Sequence, residues 1–106
     1  TGYYVGTQKI ILPDGPEKEK FVVTLRPQDI ILSLKEPEKA SARNHLKGKV
    51  VQIHKGQKIN EIKVDVEGIP IISYITDASL EDLAIKEGAT VYLIFKATAL
   101  HIFDEE

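Results

Sequence analysis

The chain has 106 residues, a length typical of one domain, and its 42% hydrophobic and 28% charged residues are ordinary for a globular chain. Its 14 basic and 16 acidic residues give a formal net charge of −2, which disfavours a general nucleic-acid-binding protein because such proteins usually carry a basic surface. The absence of cysteine excludes disulfides, a thiolate nucleophile and Cys-ligated metal centres. No apolar run approaches the roughly 20 residues of a membrane span, so we expect no direct membrane insertion.

Apolar and β-branched residues recur in short runs separated by turn signals, a pattern typical of a small all-β barrel or sandwich. The predicted strands are Tyr3–Leu12, Lys20–Leu25, Ile30–Leu34, Gly48–His54, Ile59–Val66, Ile69–Thr76, Thr90–Phe95 and Ala99–Phe103. Within Ile59–Val66 apolar residues alternate with Lys63 and Asp65. Such alternation predicts a strand with one face in the core and the other in water.

The segment Ser79–Ile85 breaks the strand pattern and predicts one short helix. Leu80 and Leu83 fall on one helical face. We expect Ser79 to cap the start of this helix and Gly88 to end it in a left-handed conformation. One short helix among strands predicts an all-β, OB-like small barrel, to which the N-terminal part of the chain adds extra strands.

A charged stretch with a proline, Lys35–Ala40, is the best linker candidate. It divides the chain into 1–40, an N-terminal strand segment that packs on or completes a barrel, and 41–106, a body with its own strands and helix. The segment 1–40, which we call the lead, is too short for an independent core. The sequence contains no methionine, so we expect either a trimmed product or a piece of a longer protein, and composition leaves both open.

Catalytic and metal-binding patterns are absent from the sequence. His45, His54 and His101 are isolated, so no metal site is predicted. The glycines match neither nucleotide-binding fingerprint, and no catalytic residue is predicted. Aromatic residues make up only 7%, and most of them are needed for a core, which gives little support to a base-stacking platform.

Small hydroxyl and cationic residues instead gather at the ends of predicted elements, in Ser41–Asn44, Thr76–Ser79 and Lys96–Thr98. Each group has an ordinary explanation as a turn, a helix cap or a solvated break between strands. Together they form the inventory that an oxyanion needs. Arg43 offers a forked donor set and Lys96 a point charge. Hydroxyl donors come from Ser41, Thr76 and Ser79, and the start of the predicted helix adds backbone N–H groups.

The body, from Ser41 to about Phe103, resembles the molbindin family, also called the TOBE or Mop domain, which binds molybdate and tungstate. The resemblance is carried by S-A-R-N at 41–44, I-T-D-A-S at 75–79 and K-A-T at 96–98. Each short motif is weak alone, but the three in this order form a specific combination. The resemblance implies an OB-like barrel that binds the oxyanion at an interface between barrels of a homo-oligomer, a dimer or higher.

The lead carries a second resemblance. Leu25–Leu32 reads L-R-P-Q-D-I-I-L, which is similar to the R-P-E-D-I-[IL]-L segment in C-terminal regulatory domains of ABC-transporter ATP-binding subunits, with Gln28 where Glu is usual. This implies a regulatory domain on the cytoplasmic face of the membrane, with a nucleotide-binding domain and a permease as partners in the full protein. The chain itself has no Walker A motif and is not expected to be an enzyme.

The family's binding residues map onto matching positions of this chain. The implied oxyanion-binding set is Ser41, Ala42, Arg43, Asn44, Lys96 and Ala97 from one barrel, with Thr76 and Ser79 from its partner. For Asn44, support of the turn and contact with the anion remain equal alternatives. The Asp77 side chain must point away from the anion, because a carboxylate beside the hydroxyls would repel it.

Three other readings remain open at this stage. The chain is alternatively a stand-alone cytoplasmic storage molbindin, for which the lead segment would be superfluous, or an OB module that only dimerises its parent. A nucleic-acid-binding barrel is disfavoured by charge and aromatic content. The Arg43→Ala substitution separates these readings, since it abolishes anion binding if the chain is a regulatory oxyanion sensor or a storage molbindin and leaves dimerisation intact if the chain only dimerises its parent. The choice between molybdate and tungstate depends on cavity size, which the sequence leaves open.

Overall fold

The structure, a computed structural model, describes residues 2–12, 21–38 and 43–104. Within these ranges it contains nine β-strands, one α-helix and two short 3-10 turns. The strands are β1 (Gly2–Val5), β2 (Gln8–Ile11), β3 (Phe21–Leu25), β4 (Ile31–Ser33), β5 (Arg43–His54), β6 (Ile59–Val66), β7 (Ile69–Thr76), β8 (Thr90–Lys96) and β9 (Leu100–Asp104). The helix α1 is Asp77–Leu83, and the 3-10 turns are Pro27–Asp29 and Ala97–Ala99.

Five strands form an antiparallel sheet in the order β4-β8-β5-β6-β7. The hairpin β1-β2 and the pair β3-β9 form two further two-stranded sheets. The predicted fold class, all-β and OB-like with one short helix, is confirmed, although the described sheets do not close into a continuous barrel. An apolar cleft of about 560 Å³ lies between the hairpin, β3 and β7.

The two strands with the clearest apolar pattern, β6 and β7, have the bounds that the sequence predicts. In β6 every second residue is buried, including Ile62, Val64 and Val66. These side chains pack with Leu46 and Leu93 in the centre of the core. Their complete burial makes a large hydrophobic contribution to the stability of the five-stranded sheet.

Two strand predictions differ from the structure by more than one residue at an end. The predicted strand Tyr3–Leu12 is a hairpin, because Gly6 adopts a φ of 61° and reverses the chain between β1 and β2. Strand β5 begins at Arg43 and not at Gly48. The backbone of Arg43 pairs with that of Lys96 in β8, and this pairing extends β5 into a polar segment that hydrophobic patterning misses.

The helix begins two residues earlier than predicted. Thr76 is its N-cap, and the Thr76 hydroxyl accepts a hydrogen bond from the backbone N–H of Ser79. The prediction that Ser79 caps the helix is therefore wrong, because Ser79 lies in its first turn. The prediction that Gly88 ends the helix is also wrong. Ala84 does so in a left-handed conformation with a φ of 49°, and Gly88 lies in the turn that follows.

Strands of the lead pair with strands of the body. β3 lies along β9, and β4 lies along β8. The hydroxyl of Ser73 in β7, which is fully buried, donates to the backbone carbonyl of Ile30 just before β4. Among the described residues no helix is long and apolar enough to cross a membrane.

Candidate functional site

One group of predicted binding residues lies where β5 begins and β8 ends. Arg43 and Lys96 are backbone partners there, and Ala97 follows in the 3-10 turn. We call this the cation end of the sheet. Ser41 and Ala42 lie outside the described residues, and Arg43 is described by its backbone alone. The Lys96 side chain is exposed, and it forms no ion pair within the described part of the chain.

A cavity of about 440 Å³ opens beside Lys96. Thr98 and His101 line it together with Arg26 and Asp29, which form an ion pair at 2.9 Å between Nε and Oδ2. Arg26 is paired with Asp29 through Nε, whereas Lys96 forms no ion pair in the described part of the chain, so Lys96 is the cation beside this cavity better placed to take an anion. The sequence pointed to Thr98 only as part of the K-A-T motif and did not point to Arg26 or His101 as cavity residues.

Asn44, the last residue of the S-A-R-N motif, faces the β1-β2 hairpin. Its Nδ2 donates to the backbone carbonyl of Ile11, and its Oδ1 accepts from the Ile11 N–H, both at 2.8 Å. The side chain is buried, with 6% of its surface exposed. These contacts occupy both amide atoms of Asn44 and connect the motif to the lead segment.

A second group lies where β7 ends and α1 begins, and we call it the hydroxyl end. The Thr76 hydroxyl accepts from the Ser79 N–H at 3.2 Å and donates to the Ser79 hydroxyl oxygen at 3.1 Å. With the Thr76 proton used in this way, the Ser79 hydroxyl keeps its own proton for another acceptor. Both side chains are exposed, so Ser79 is the residue of this pair best placed to donate to a ligand.

The carboxylate at the hydroxyl end is held by the sheet. Asn60, which is fully buried, donates its Nδ2 to an Asp77 carboxylate oxygen at 2.7 Å. The other amide atom of Asn60, Oδ1, has no partner among the described residues. This contact draws Asp77 towards β6 and restrains the negative charge next to Thr76 and Ser79.

The cation end and the hydroxyl end lie at opposite ends of the same sheet. Arg43 pairs with Lys96 at the start of β5, whereas Thr76 pairs with Ile59 at the start of β6, beyond the far end of β5. The 12 residues of β5, with a register irregularity between Val50 and Gln52, run from one of these positions towards the other. One copy of the chain therefore presents the two groups apart.

The histidines form no site in the described part of the chain. His54 and His101 are exposed, and half-buried His45 lies 3.9 Å from a Glu36 oxygen and makes an edge contact with Tyr92. Residues 2–12, 21–38 and 43–104 contain no group of three or more side chains arranged to hold a metal ion.

Comparison with known protein families finds a match to the body of the chain. The model of the TOBE domain matches residues 40–102. The chain belongs to the TOBE family. The match confirms the resemblance that the three motifs indicate, and it contains both the cation end and the hydroxyl end.

Sequence relatives of this TOBE chain include an import ATP-binding protein and a molybdenum-pterin-binding protein. The molybdate/tungstate import ATP-binding protein WtpC of Pyrococcus abyssi is 40% identical over 95 residues, which cover 90% of this chain and 27% of the relative. Molybdenum-pterin-binding protein 3 of Clostridium pasteurianum is 41% identical over 63 residues, which cover 58% of this chain and 93% of the relative. The chain thus spans about a quarter of the import protein.

Solved structures with this fold include two molybdate-binding proteins. The cytoplasmic molybdate-binding protein ModG, solved with molybdate bound, has a TM-score of 0.74 and 25% identity over 80% of this chain and 62% of its own. A molybdate-binding protein from Sporomusa ovata has a TM-score of 0.53 and 36% identity over 57% of this chain and 91% of its own. The first alignment covers more of the TOBE chain than the body alone.

Proposed function

We propose that this TOBE chain binds molybdate or tungstate between two copies of itself. The cation end of one copy supplies Ser41, Arg43, Lys96 and the backbone around Ala97, and the hydroxyl end of the other supplies Ser79, positioned by Thr76. The observation that carries the proposal is the separation of these two groups on one sheet. A small anion that needs both groups must bridge two copies, since one copy holds them apart.

The chemistry of the two ends suits a tetrahedral dianion. The cations at one end offer only hydrogen-bond donors, the Ser79 hydroxyl at the other end has a proton to donate while its oxygen accepts from Thr76, and Asn60 restrains the nearby Asp77 carboxylate. A protonated phosphate would find few acceptors for its own proton in such a site, which lowers its affinity. Sulfate has the same charge as molybdate but is smaller, so the size of the cavity selects against it.

The role we propose is that of a regulatory domain in an importer's ATP-binding subunit. Similarity to the Pyrococcus abyssi import protein extends over 90% of the chain and so includes the lead, whereas the Clostridium pasteurianum protein matches only 58%. The lead strands β3 and β4 pair with strands of the body, which supports a function that uses both parts. Because the anion binds only the paired arrangement, it shifts the population of the transporter towards that arrangement.

Calorimetric titration of the purified chain with tungstate, molybdate and sulfate tests the binding function. We expect micromolar or tighter binding of the first two anions and no heat with sulfate. Arg43→Ala is expected to abolish binding and leave the oligomeric state unchanged. Lys49→Ala is the matched control, because it removes an exposed cation from the middle of β5, away from both ends. A folded wild-type chain that binds neither tungstate nor molybdate would contradict the proposal.

Mixed assemblies test whether two copies share each site. An Arg43→Ala chain co-assembled with a Thr76→Val/Ser79→Ala chain keeps one intact pair of ends, so binding reappears although each variant alone is defective. In the control, a chain with all three substitutions is co-assembled with wild type. Each shared site then contains one altered end, so these mixed assemblies do not bind. If each site lay within one chain, the first mixture would not bind the anion, and the control mixture would retain half of its binding sites.

A further inference from the structure

The β1-β2 hairpin is attached to β5 through side-chain amides, where an ordinary sheet would use backbone pairing. Gln8 Nε2 donates to the Lys47 carbonyl at 2.8 Å, and the Lys47 N–H donates to Gln8 Oε1 at 2.6 Å. The contacts between Asn44 and Ile11 have the same reciprocal form. Each amide side chain thus satisfies one N–H and one C=O group of the facing strand.

The two amide pairs have one register. Ile11 follows Gln8 by three residues and Asn44 precedes Lys47 by three, so β2 runs antiparallel to β5. β6 pairs with β5 only from Lys49 onwards, which leaves the first half of β5 without a strand on that side. The hairpin fills this gap next to Arg43, and Gln8 and Asn44 satisfy backbone groups that would otherwise lack partners.

Glu67, in the turn between β6 and β7, holds the tip of the hairpin. Its carboxylate accepts hydrogen bonds from the Thr7 N–H and Thr7 hydroxyl at 3.1 and 2.9 Å, and from Gln8 Nε2 at 3.0 Å. The hydrogen bonds from Gln8, and then those from Thr7, lower the pKa of Glu67. Gly6 has a φ of 61°, and a Cβ on it would lie 2.8 Å from Glu67 Cβ and 2.6 Å from Glu67 Cδ, so any other residue would be strained and would displace the Glu67 side chain.

We infer that Asn44 is a positioning residue and not an oxyanion ligand, and that docking of the β1-β2 hairpin through Asn44 and Gln8 sets the oxyanion affinity of the cation end. The inference rests on the proposed function. Asn44 is the neighbour of Arg43 on β5, so a docked hairpin fixes the backbone that carries the guanidinium before the anion arrives. Fixing a binding group in advance raises affinity because less ordering remains for the binding step.

The coupling must act in both directions. If docking of the hairpin raises the affinity for the anion, the bound anion stabilises the docked hairpin by the same factor. The occupancy of the oxyanion site would then be readable in the lead segment, at Ile11.

Titration of four variants with tungstate tests the first direction. We expect Asn44→Ala to weaken binding about tenfold and Gln8→Ala about threefold, in keeping with the loss of buried and half-buried hydrogen bonds. The Gln8→Ala/Asn44→Ala double variant should lose much less affinity than the product of the two single fold-changes, because both substitutions release the same hairpin. Gln52→Ala, which removes an exposed amide elsewhere on β5, is the matched control and should bind like wild type.

Hydrogen exchange of the Ile11 amide in the wild-type chain tests the reverse direction and does not depend on a variant that folds poorly. Saturating tungstate should slow this exchange, and Arg43→Ala should remove the slowing. Two results would overturn the inference: equal affinities of Gln8→Ala and Gln52→Ala, or an Ile11 exchange rate that tungstate leaves unchanged. Either result with a wild-type chain that binds tungstate overturns only the inference, whereas a wild-type chain that binds none overturns the proposed function as well.

Discussion

The two ends of the sheet are built in different ways. At the cation end, Arg43 and Lys96 are held by strand pairing between segments more than 50 residues apart in sequence, and Asn44 fastens them to the lead. At the hydroxyl end, the Thr76 backbone pairs with Ile59 in β6, but the side chains of Thr76 and Ser79 are held by each other, within four residues, on a helix with no buried residues. One half of the proposed site is therefore a product of the whole fold, and the other is a local structure.

This difference predicts how each end responds to change. A substitution that disturbs the packing of β5 should alter the cation end from a distance. The hydroxyl end should respond to its immediate neighbours and tolerate changes elsewhere. Four substitutions test this contrast.

The largest effect is expected at the cation end. Gly48 lies in β5 beside the end of its paired strand β6. A Cβ there would lie 2.6 Å from Val64 Cγ1 and 2.8 Å from the Asp65 carbonyl oxygen. Gly48→Ala should lower the free energy of unfolding by about 1–3 kcal/mol and weaken tungstate binding as well. Urea denaturation measures the first quantity and calorimetry the second. Unchanged values of both would show that the cation end is insulated from the packing of β5.

At the hydroxyl end the next effect should be confined to binding. Asn60→Leu keeps the branching and the number of heavy atoms of this buried side chain but releases the Asp77 carboxylate that Asn60 holds at 2.7 Å. A freed negative charge near Ser79 should weaken tungstate binding about fivefold, a change of about 1 kcal/mol. Adding Asp77→Asn should restore the affinity. If the double variant stays as weak as Asn60→Leu, the loss comes from packing and not from charge.

A substitution at the C-cap of α1 should alter the stability of the chain and leave tungstate binding unchanged. Ala84 adopts a left-handed conformation that glycine adopts without steric cost, so Ala84→Gly should raise the free energy of unfolding by about 0.5–1 kcal/mol. Ala78→Gly, within the same helix, is the matched control and should lower it. Thermal denaturation of wild type, Ala84→Gly and Ala78→Gly measures the order of their stabilities. A lower melting temperature for Ala84→Gly would contradict the assignment of Ala84 as the C-cap.

The smallest effect should depend on pH. Because hydrogen bonds from Gln8 and Thr7 lower the pKa of Glu67 below its ordinary value of 4.5, the ionised carboxylate stabilises the docked hairpin above that value. This contribution is lost as the pH falls through the lowered pKa. Glu67→Gln should therefore be slightly less stable than wild type at pH 7, and the difference should shrink towards pH 3. A difference that is constant with pH would show that the charge of Glu67 does not act on the hairpin.

Local patterns predicted much of the fold. Strands β6 and β7 could be bounded because alternation and a Gly-containing turn mark their ends. The hairpin was missed because Gly6 interrupts a run that otherwise reads as a single strand. The start of the helix was misplaced because both Thr76 and Ser79 have the chemistry of a cap, and only the backbone geometry distinguishes them.

The candidate site was predictable as a set of residues but not as an arrangement. The motifs indicated Arg43, Lys96, Thr76 and Ser79, but their positions depend on the register of β5 with β8 and of β6 with β7. Strand register arises from long-range packing, which no short motif contains. The partners of Asn44 and Asp77 were equally hidden, because Ile11 lies 33 residues before Asn44 and Asn60 lies 17 residues before Asp77.

The paired amide contacts of Gln8 and Asn44 have a consequence for how such chains evolve. Both pairs depend on spacings of three residues, within β2 and within β5, and neither depends on the length of chain between the two strands. Insertions and deletions that lie outside β3 and β4, between the hairpin and the S-A-R-N motif, should therefore leave both amide pairs intact, whereas a single-residue deletion within β2 would separate them. In TOBE chains that carry this lead, the glutamine and the asparagine should be inherited together.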